Sequence, residues 1–103
     1  MTLHYEDGTV AYKGDMFYGL KNGLGSASYP NGNLQYEGYW RQDLRHCNVD
    51  SADNKNFGVC TSYYKSGALK YQGGFCANKK NGFGRLYKIN GELHKEGVWF
   101  ADI

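Results

Sequence analysis

The sequence predicts an all-β protein: a single-layer antiparallel meander of repeated β-hairpins, with about 7–8 strands. Composition is the first reason, because 15 Gly and a single Pro stand among ten Tyr and five Phe in a chain of 103 residues. Gly between aromatic and β-branched residues is typical of strands joined by tight turns. The second reason is a short phrase that recurs four times with the side-chain period of two that belongs to a strand.

The repeated phrase is aligned by its turn glycine, which is Gly8, Gly32, Gly67 or Gly91, at intervals of 24, 35 and 24 residues. Read in steps of two after that glycine, each copy gives an aliphatic residue, Tyr, Gly and a large apolar residue, with Lys95 as the one departure. One domain, 1–103, is therefore expected. Its copies are placed around residues 5–16, 24–40, 57–76 and 83–100.

Asp-Gly, Asn-Gly and Ser-Gly steps at the four turns predict two-residue type I′ hairpins, in which both central residues have positive φ. This register sets Ala27 opposite Tyr36 and Gly25 opposite Gly38, and it gives Cys60 the slot of Gly25. Paired glycines leave hollows that an aromatic ring can fill. The stretches "YGLKNG" and "ANKKNG" are predicted to be longer connections, and the intervening Gln35 and Lys70 are predicted to face away from the aromatic side.

The longer middle interval places 11 extra residues between Trp40 and Cys60. They lie in the polar stretch "RQDLRHCNVDSADNKN", residues 41–56, which is rich in Asp and Asn and is predicted to be a loop. An added loop in a repeat array often carries specificity. Arg41, Arg45 and His46 are therefore candidate partner contacts.

The stretches "YKGDMFYGLKNGLGSASYPNG" (residues 12–32) and "YQGGFCANKKNGFGRLYKING" (residues 71–91) resemble the MORN repeat. The resemblance implies a β-hairpin array that serves as a binding module or scaffold. Members of the family bind proteins, and phospholipid binding has also been proposed for them. The phrases "NGNLQYEG" and "SGALKYQG" are similar to a bacterial variant of the repeat, which implies an antitoxin-like or immunity role as a further alternative.

Charge and motifs exclude several classes of protein. A formal charge of +2 and a pI near 8.4 are too mild to indicate a nucleic-acid partner. The sequence contains no secretory signal and no apolar run that could span a membrane, so a cytoplasmic protein is expected, with a peripheral position at a membrane or the cytoskeleton left open. The three Cys are predicted to be reduced thiols, with Cys60 a small core residue.

Catalytic chemistry is not expected, and neither is a cofactor or a metal. His46 and Cys47 are adjacent and would point apart on a strand, while Cys60 and Cys76 have no metal-like spacing. Asp50 and Asp53 lack the Gly and terminal Glu of an EF-hand loop.

A lone sheet leaves one aromatic face without a cover, and no amphipathic helix is present to supply one. The leading hypothesis is therefore a non-catalytic module that holds a protein partner (a peptide, a helix or a second subunit of a homodimer) in an aromatic groove. The groove residues are Tyr12, Tyr29, Tyr36, Trp40, Tyr64, Tyr71, Phe75 and Trp99. The alternative is a peripheral module for anionic phospholipid such as phosphoinositide. Its candidate residues are Lys79, Lys80, Arg85 and Lys88.

Overall fold

The computed structural model describes the whole chain, Met1–Ile103. Nine strands form one antiparallel sheet, and the chain contains no α-helix. The strands are β1 (Thr2–His4), β2 (Val10–Phe17), β3 (Leu20–Ser28), β4 (Leu34–Arg41), β5 (Leu44–Arg45), β6 (Thr61–Tyr63), β7 (Leu69–Cys76), β8 (Lys79–Tyr87) and β9 (Leu93–Trp99). Their order in the sheet follows the chain, except that β5 lies off the path and pairs with β4. The predicted all-β hairpin meander is confirmed.

The predicted register is found in the first and last full hairpins. Ala27 lies opposite Tyr36 and Gly25 opposite Gly38, and in the last hairpin Gly84 lies opposite Gly97. This register places the three repeated tyrosines on one side of the sheet, which we call the front face; the other side is the back face. A period of two and a buried side are enough to fix such a register, because a slip by one residue would expose every ring.

The predicted type I′ turns are wrong at all four turn glycines, and Asn31-Gly32 shows why. Gly32 has φ of 91°, but Asn31 is not among the residues with positive φ. The Tyr29 N–H donates to the Asn33 carbonyl at 2.8 Å and the Gly32 N–H donates to the Tyr29 carbonyl at 2.9 Å, a type I turn followed by a glycine bulge. The Asn31 side chain stabilises this form by accepting the Asn33 N–H at 2.9 Å.

Type I′ turns occur instead at the opposite ends of the strands, where longer connections were predicted. Both central residues have positive φ there: 50° and 69° at Gln42 and Asp43, and 49° and 72° at Ala77 and Asn78. Tyr18–Gly19 and Ala101–Asp102 follow the same rule. We call this row of turns at the strand ends the turn rim; it comprises residues 17–20, 41–44, 76–79 and 100–103.

A bulge in each hairpin overturns the predicted orientation of Gln35 and Lys70. Ala27 pairs with Tyr36 while Ser28 pairs with Leu34, so Gln35 is the extra residue on its strand. Lys70 is extra in the same way, between the partners of Ser62 and Tyr63. A bulge re-aims the side chain that it adds. Gln35 consequently lines a groove together with Tyr36 on the front face.

A continuous row of aromatic rings fills the front face. Tyr12, Tyr36 and Tyr71 each have 0% exposure. Neighbouring rings meet edge to face, with centroid distances of 5.0–5.8 Å, in the order Tyr12, Trp40, Tyr36, Phe75, Tyr71, Trp99. Tyrosine rings occupy the hollows over paired glycines, as predicted, since a Cβ at Gly25 would lie 2.0 Å from the Tyr12 hydroxyl. This row is the hydrophobic core of the single layer.

The stretch 41–56 is only in part the solvated loop that was predicted: residues 50–56 are turns and mostly exposed, whereas residues 44–49 pair with the sheet. β6 has only three residues, and the inserted chain completes the strand position that β6 leaves empty. β5 pairs with β4, Cys47 exchanges two backbone hydrogen bonds with Phe75 (2.8 and 2.9 Å), and the Val49 carbonyl accepts the Phe83 N–H at 2.8 Å. Cys47 and Val49 are buried. Backbone groups that would otherwise form an open edge are thereby paired.

The prediction of three reduced thiols is also wrong. Cys47 and Cys60 form a disulfide with a Cα–Cα distance of 6.5 Å, while Cys76 is free and exposed. Cys60 does lie in the core, with 0% exposure. The bond joins the inserted segment to the residue just before β6, and so it closes the loop between Cys47 and Cys60.

Candidate functional site

Three equivalent slots follow one another across the front face, each made of a tyrosine, an aromatic ring two strands away in the sheet and a cation above both rings. In the first slot Lys21 Nζ lies 5.5 Å from the Tyr12 ring and 5.4 Å from the Trp40 ring. These distances suit cation–π attraction. The central slot has the Arg45 guanidinium 5.8 Å from the Tyr36 ring and 5.2 Å from the Phe75 ring.

The third slot repeats this arrangement at the other end of the row. Lys80 Nζ lies 5.9 Å from the Tyr71 ring and 5.5 Å from the Trp99 ring. Lys95, which stands where the other copies have Tyr, lies 4.6 Å from the Trp99 ring. The departure from the repeat thus places one more cation over the last ring of the row.

An Asp or Asn in the neighbouring turn fixes each slot cation through the backbone. Asp43, Asn78 and Asp102 accept the N–H of the cation residue of their slot through Oδ1, at 2.7, 2.8 and 2.8 Å. Their own N–H groups donate back to the carbonyl of that same residue at 2.9, 3.1 and 2.9 Å. The turn rim therefore holds the cations in register with the rings. Arg45 takes part in this pattern only because the insertion restores the missing strand.

The slots differ in charge. Lys21 pairs with Asp43 at 3.8 Å, and Lys80 pairs with Asp102 at 3.5 Å. The Lys80 backbone N–H holds the pKa of Asp102 below its usual range, with the Lys80 charge as a smaller cause. In the central slot the turn residue is the neutral Asn78, and Arg45 donates to its Oδ1 and backbone carbonyl at 3.2 Å each. Burial lowers the pKa of Arg45.

A groove of about 410 Å³ lies between the first and central slots. Its walls combine rings with polar groups, since it is lined by Tyr12, Tyr36 and Trp40 and also by Lys21, Gln35, Asp43 and Arg45. The slot cations are partly exposed to solvent, with 26% exposure for the Lys21 side chain. The groove therefore offers charges and polar groups to a ligand over a rigid floor of buried rings.

Six of the eight predicted groove aromatics are buried in the row described above, and so they form the floor beneath the cations and offer little surface of their own. The other two are half-buried and hold the sheet together at the Asn-Gly end. Tyr29 donates its hydroxyl to the Tyr63 carbonyl and Tyr64 donates to the Tyr87 carbonyl, both at 2.7 Å. Tyr5, absent from the predicted set, does the same toward Ser28 at 2.6 Å.

The residues singled out in the insertion separate in space. Arg45 lies in the central slot, Arg41 is exposed on the turn rim, and half-buried His46 donates its backbone N–H to the Tyr39 carbonyl at 3.1 Å. Only Arg45 therefore faces the groove.

The four cations named for anionic lipid do not form one patch. Lys80 belongs to the third slot, and Lys79 is exposed on the turn rim. Arg85 pairs with Glu96 on the back face and lies 5.0 Å from the Phe57 ring. Lys88 is in the turn before β9, at the other end of the hairpin.

Sequence reasoning missed Lys21, Gln35, Lys70 and Asn78 as site residues. A signal for the cations was present: "GLK", "DLR" and "NKK" at residues 19–21, 43–45 and 78–80 share a turn residue, one spacer and a cation. That signal falls outside the Tyr-x-Gly phrase by which the copies were aligned, and its second instance lies in the insertion.

No cluster of three His, Cys, Asp or Glu side chains is arranged to hold a metal ion. No helix long and apolar enough to cross a membrane is found in the chain.

A single sheet of repeated hairpins, with tyrosines seated over glycine pairs and a recurring cation above them, defines a β-hairpin repeat protein. Comparison with known families gives matches to the MORN repeat at residues 12–34, 36–46 and 71–92, which together cover more than half of the chain. The chain belongs to the MORN repeat family. MORN repeats are generally non-catalytic binding or scaffold modules, often related to membranes. A comparison with curated proteins gave no match.

Proposed function

We propose that this protein is a non-catalytic binding module that holds a protein partner in the groove of its front face. The observation that carries the proposal is a groove in which slot cations that remain partly exposed lie over a rigid floor of buried rings. Tyr, Trp and Arg are the residues most often found as anchors of protein interfaces. Of these types the groove offers the half-buried Tyr5 and Arg45, while Tyr12, Tyr36 and Trp40 are buried in its floor.

Rigidity supports the same proposal. Tyr12 and Tyr36 donate their hydroxyls to the backbone carbonyls of Asp15 and Tyr39, at 2.7 and 2.9 Å, so neither ring can swing away. The slot cations are fixed by the turn residues. A partner that binds here loses little free energy to ordering the site, because the site is ordered before the partner arrives.

The groove is tested by filling it without touching the core. Gln35 is exposed and lines the groove, so Gln35→Trp should block a partner while the fold persists. Lys13→Trp is the matched control, because Lys13 is exposed on the back face of β2. Tagged protein would be used to capture partners from its native host, with circular dichroism to check the fold. Loss of a captured protein in Gln35→Trp but not in Lys13→Trp supports the proposal, and equal capture by both variants refutes it.

A second copy of the chain is one of the partners that this experiment distinguishes. Sedimentation velocity of the same variants reports self-association directly. A dimer that Gln35→Trp converts to monomer would identify the partner as the chain itself.

A peripheral lipid-binding role is the second candidate, and the turn rim is the observation in its favour. Tyr18, Phe100 and Ile103 are 90%, 78% and 83% exposed there, and Arg41 and Lys79 are exposed on the same edge. Exposed aromatic and basic residues in one band suit the surface of an anionic membrane.

Flotation with phosphatidylserine vesicles tests this role. Phe100→Ser should weaken vesicle binding, whereas Ile89→Ser, an exposed residue near the opposite edge, should not. Absence of vesicle binding by the unchanged protein would refute the candidate.

The cytoplasmic location stays a prediction. Disulfides persist mainly in oxidising compartments, so the Cys47–Cys60 bond weighs against it. Fractionation of native cells, followed by thiol labelling before and after reduction, would decide where the paired form exists.

A further inference from the structure

We infer that the groove selects an acidic segment of a protein partner and that Arg45, in the central slot, receives one of its carboxylates. This inference rests on the proposed function and adds the chemistry of the ligand. Its basis is a difference between slots that are otherwise equivalent: two of the three cations have a carboxylate partner, and the central one does not.

The outer slots are neutralised within the chain. Asp43 and Asp102 each accept a backbone N–H and also pair with the ammonium group of their own slot. Asn78 accepts the equivalent N–H at 2.8 Å but carries no charge. Arg45 forms no ion pair. The central slot therefore keeps the hydrogen bond between the turn residue and the cation residue, but it lacks the carboxylate that balances the cation in the outer slots.

Arg45 also has donors to spare. A guanidinium has five N–H donors, and the bonds to Asn78 use only Nε and Nη2. The group is half-buried and lies over the Tyr36 and Phe75 rings, where a positive charge without an ionic partner is costly. A carboxylate that enters the groove would form a charge-assisted hydrogen bond with it, the strong kind of protein hydrogen bond.

The surroundings of Arg45 favour the same ligand. Lys70, turned toward the front face by its bulge, lies 5.6 Å from the Tyr64 ring and forms no ion pair. Burial, together with the nearby charges of Lys80 and Arg45, lowers its pKa. Gln35 adds an amide on the groove wall. The centre of the front face therefore carries two positive charges, on Arg45 and Lys70, that have no carboxylate in direct contact.

A protein segment fits this site better than a lipid surface does. The Arg45 head lies over the Tyr36 and Phe75 rings and is held by Asn78, whereas the most exposed apolar side chains, which a flat bilayer would meet, lie on the turn rim. A glutamate or aspartate side chain on an extended segment can enter the groove from above. Charge complementarity of this kind sets specificity more than total affinity.

The test gives the central slot the aspartate that the two outer slots carry. Asn78→Asp should keep the hydrogen bond to the Arg45 N–H and supply the missing counter-charge, as Asp43 and Asp102 do in their slots. The probe is a fluorescein-labelled synthetic peptide in which glutamate alternates with valine, and its control replaces glutamate by glutamine. Asn78→Asp should weaken binding of the glutamate peptide about tenfold, the effect of losing one charged hydrogen bond.

Two further variants sharpen the result. Asp43→Asn frees Lys21, which lines the groove, and should strengthen binding of the glutamate peptide, while Lys13→Gln removes an exposed back-face charge and should leave it unchanged. Arg45→Gln should match Asn78→Asp, with circular dichroism confirming the fold of each variant.

The outcomes separate the inference from the proposed function. Equal binding of both peptides, no binding of either, or an unchanged affinity in Asn78→Asp overturns the acidic-segment inference. The proposed function still stands in those cases if Gln35→Trp abolishes capture of a native partner. Binding of phosphatidylserine vesicles that Asn78→Asp weakens, without binding of the glutamate peptide, would assign the site to a lipid headgroup and overturn the inference.

Discussion

Substitution of Gly25 by alanine tests the physical basis of the whole array. A Cβ at Gly25 would lie 2.0, 2.4 and 2.6 Å from Oη, Cζ and Cε1 of Tyr12. Real Cβ atoms do not approach other atoms so closely, and therefore the ring must move. Gly25 is not among the residues with positive φ, so alanine meets no backbone strain there and the effect is purely one of packing.

The expected cost follows from what holds the Tyr12 ring. It is fully buried, donates a hydrogen bond to the Asp15 carbonyl at 2.7 Å and meets the Trp40 ring edge to face at 5.6 Å. Overpacking costs roughly 1–3 kcal/mol, a hydrogen bond about 1 and an aromatic pair about 0.5–1.5. Gly25→Ala should therefore lower the free energy of unfolding by about 3 kcal/mol.

Urea denaturation followed by tryptophan fluorescence measures this change, because Trp40 contacts the displaced ring. Gly58→Ala is the matched control: Gly58 has no positive φ and no atom within 4 Å of its Cβ position, so the change should stay within about 0.5 kcal/mol. In a Tyr12→Ala background, Gly25→Ala should cost little. A cost that is the same with and without the ring would refute the reasoning that the glycines exist to seat tyrosines.

Three further outcomes follow from the fold. Cys47→Ser should lower the free energy of unfolding by about 3 kcal/mol, as expected for a disulfide that closes a short loop, and thiol titration of the unreduced protein should find one free thiol per chain; three would contradict the pairing. Burial raises the pKa of Tyr36 and Tyr71, so the unfolded chain releases these protons first and stability should be constant below about pH 10 and fall above it. Absorbance titration with urea unfolding checks this, and a fall that Tyr36→Phe leaves equally steep would contradict it. Deletion of 42–55 should abolish cooperative unfolding rather than shorten a loop, and a deletion variant with an unchanged denaturation midpoint would show that the inserted strand is dispensable.

The arrangement of rings could be derived from the sequence because it depends on side-chain size alone. Each repeated Tyr lies two residues before a Gly, and that Gly pairs with another Gly on a neighbouring strand. The pair leaves room for the ring, and the Tyr36 and Tyr71 rings lie over such pairs. The turn types could not be derived in this way. Asn31-Gly32 suits either a type I′ turn or a type I turn with a bulge, and the Asn31 side chain decided between them by bonding two residues ahead.

The candidate site was only partly visible for a different reason. Residues 44–49 pair with the sheet through their backbone groups. Their side chains do not show the regular alternation of polar and apolar residues that predicts a strand. The position of Arg45 above Tyr36 depends on that pairing, and so does the approach of Cys47 to Cys60. Orientation of Gln35 and Lys70 depended on bulges, which add a residue without leaving a mark in the pattern of polar and apolar positions.

The inserted segment that completes the strand position of β6 lets the repeats keep their spacing in the sheet although their spacing along the chain differs. The middle interval is 35 residues long, yet the surplus folds back so that the slot cations keep the same relation to their rings. An array built in this manner can change the length of one unit without shifting those that follow. Natural or engineered chains could therefore carry grafted sequence at this junction, provided that the graft supplies a short extended stretch with a long cation where Arg45 now stands.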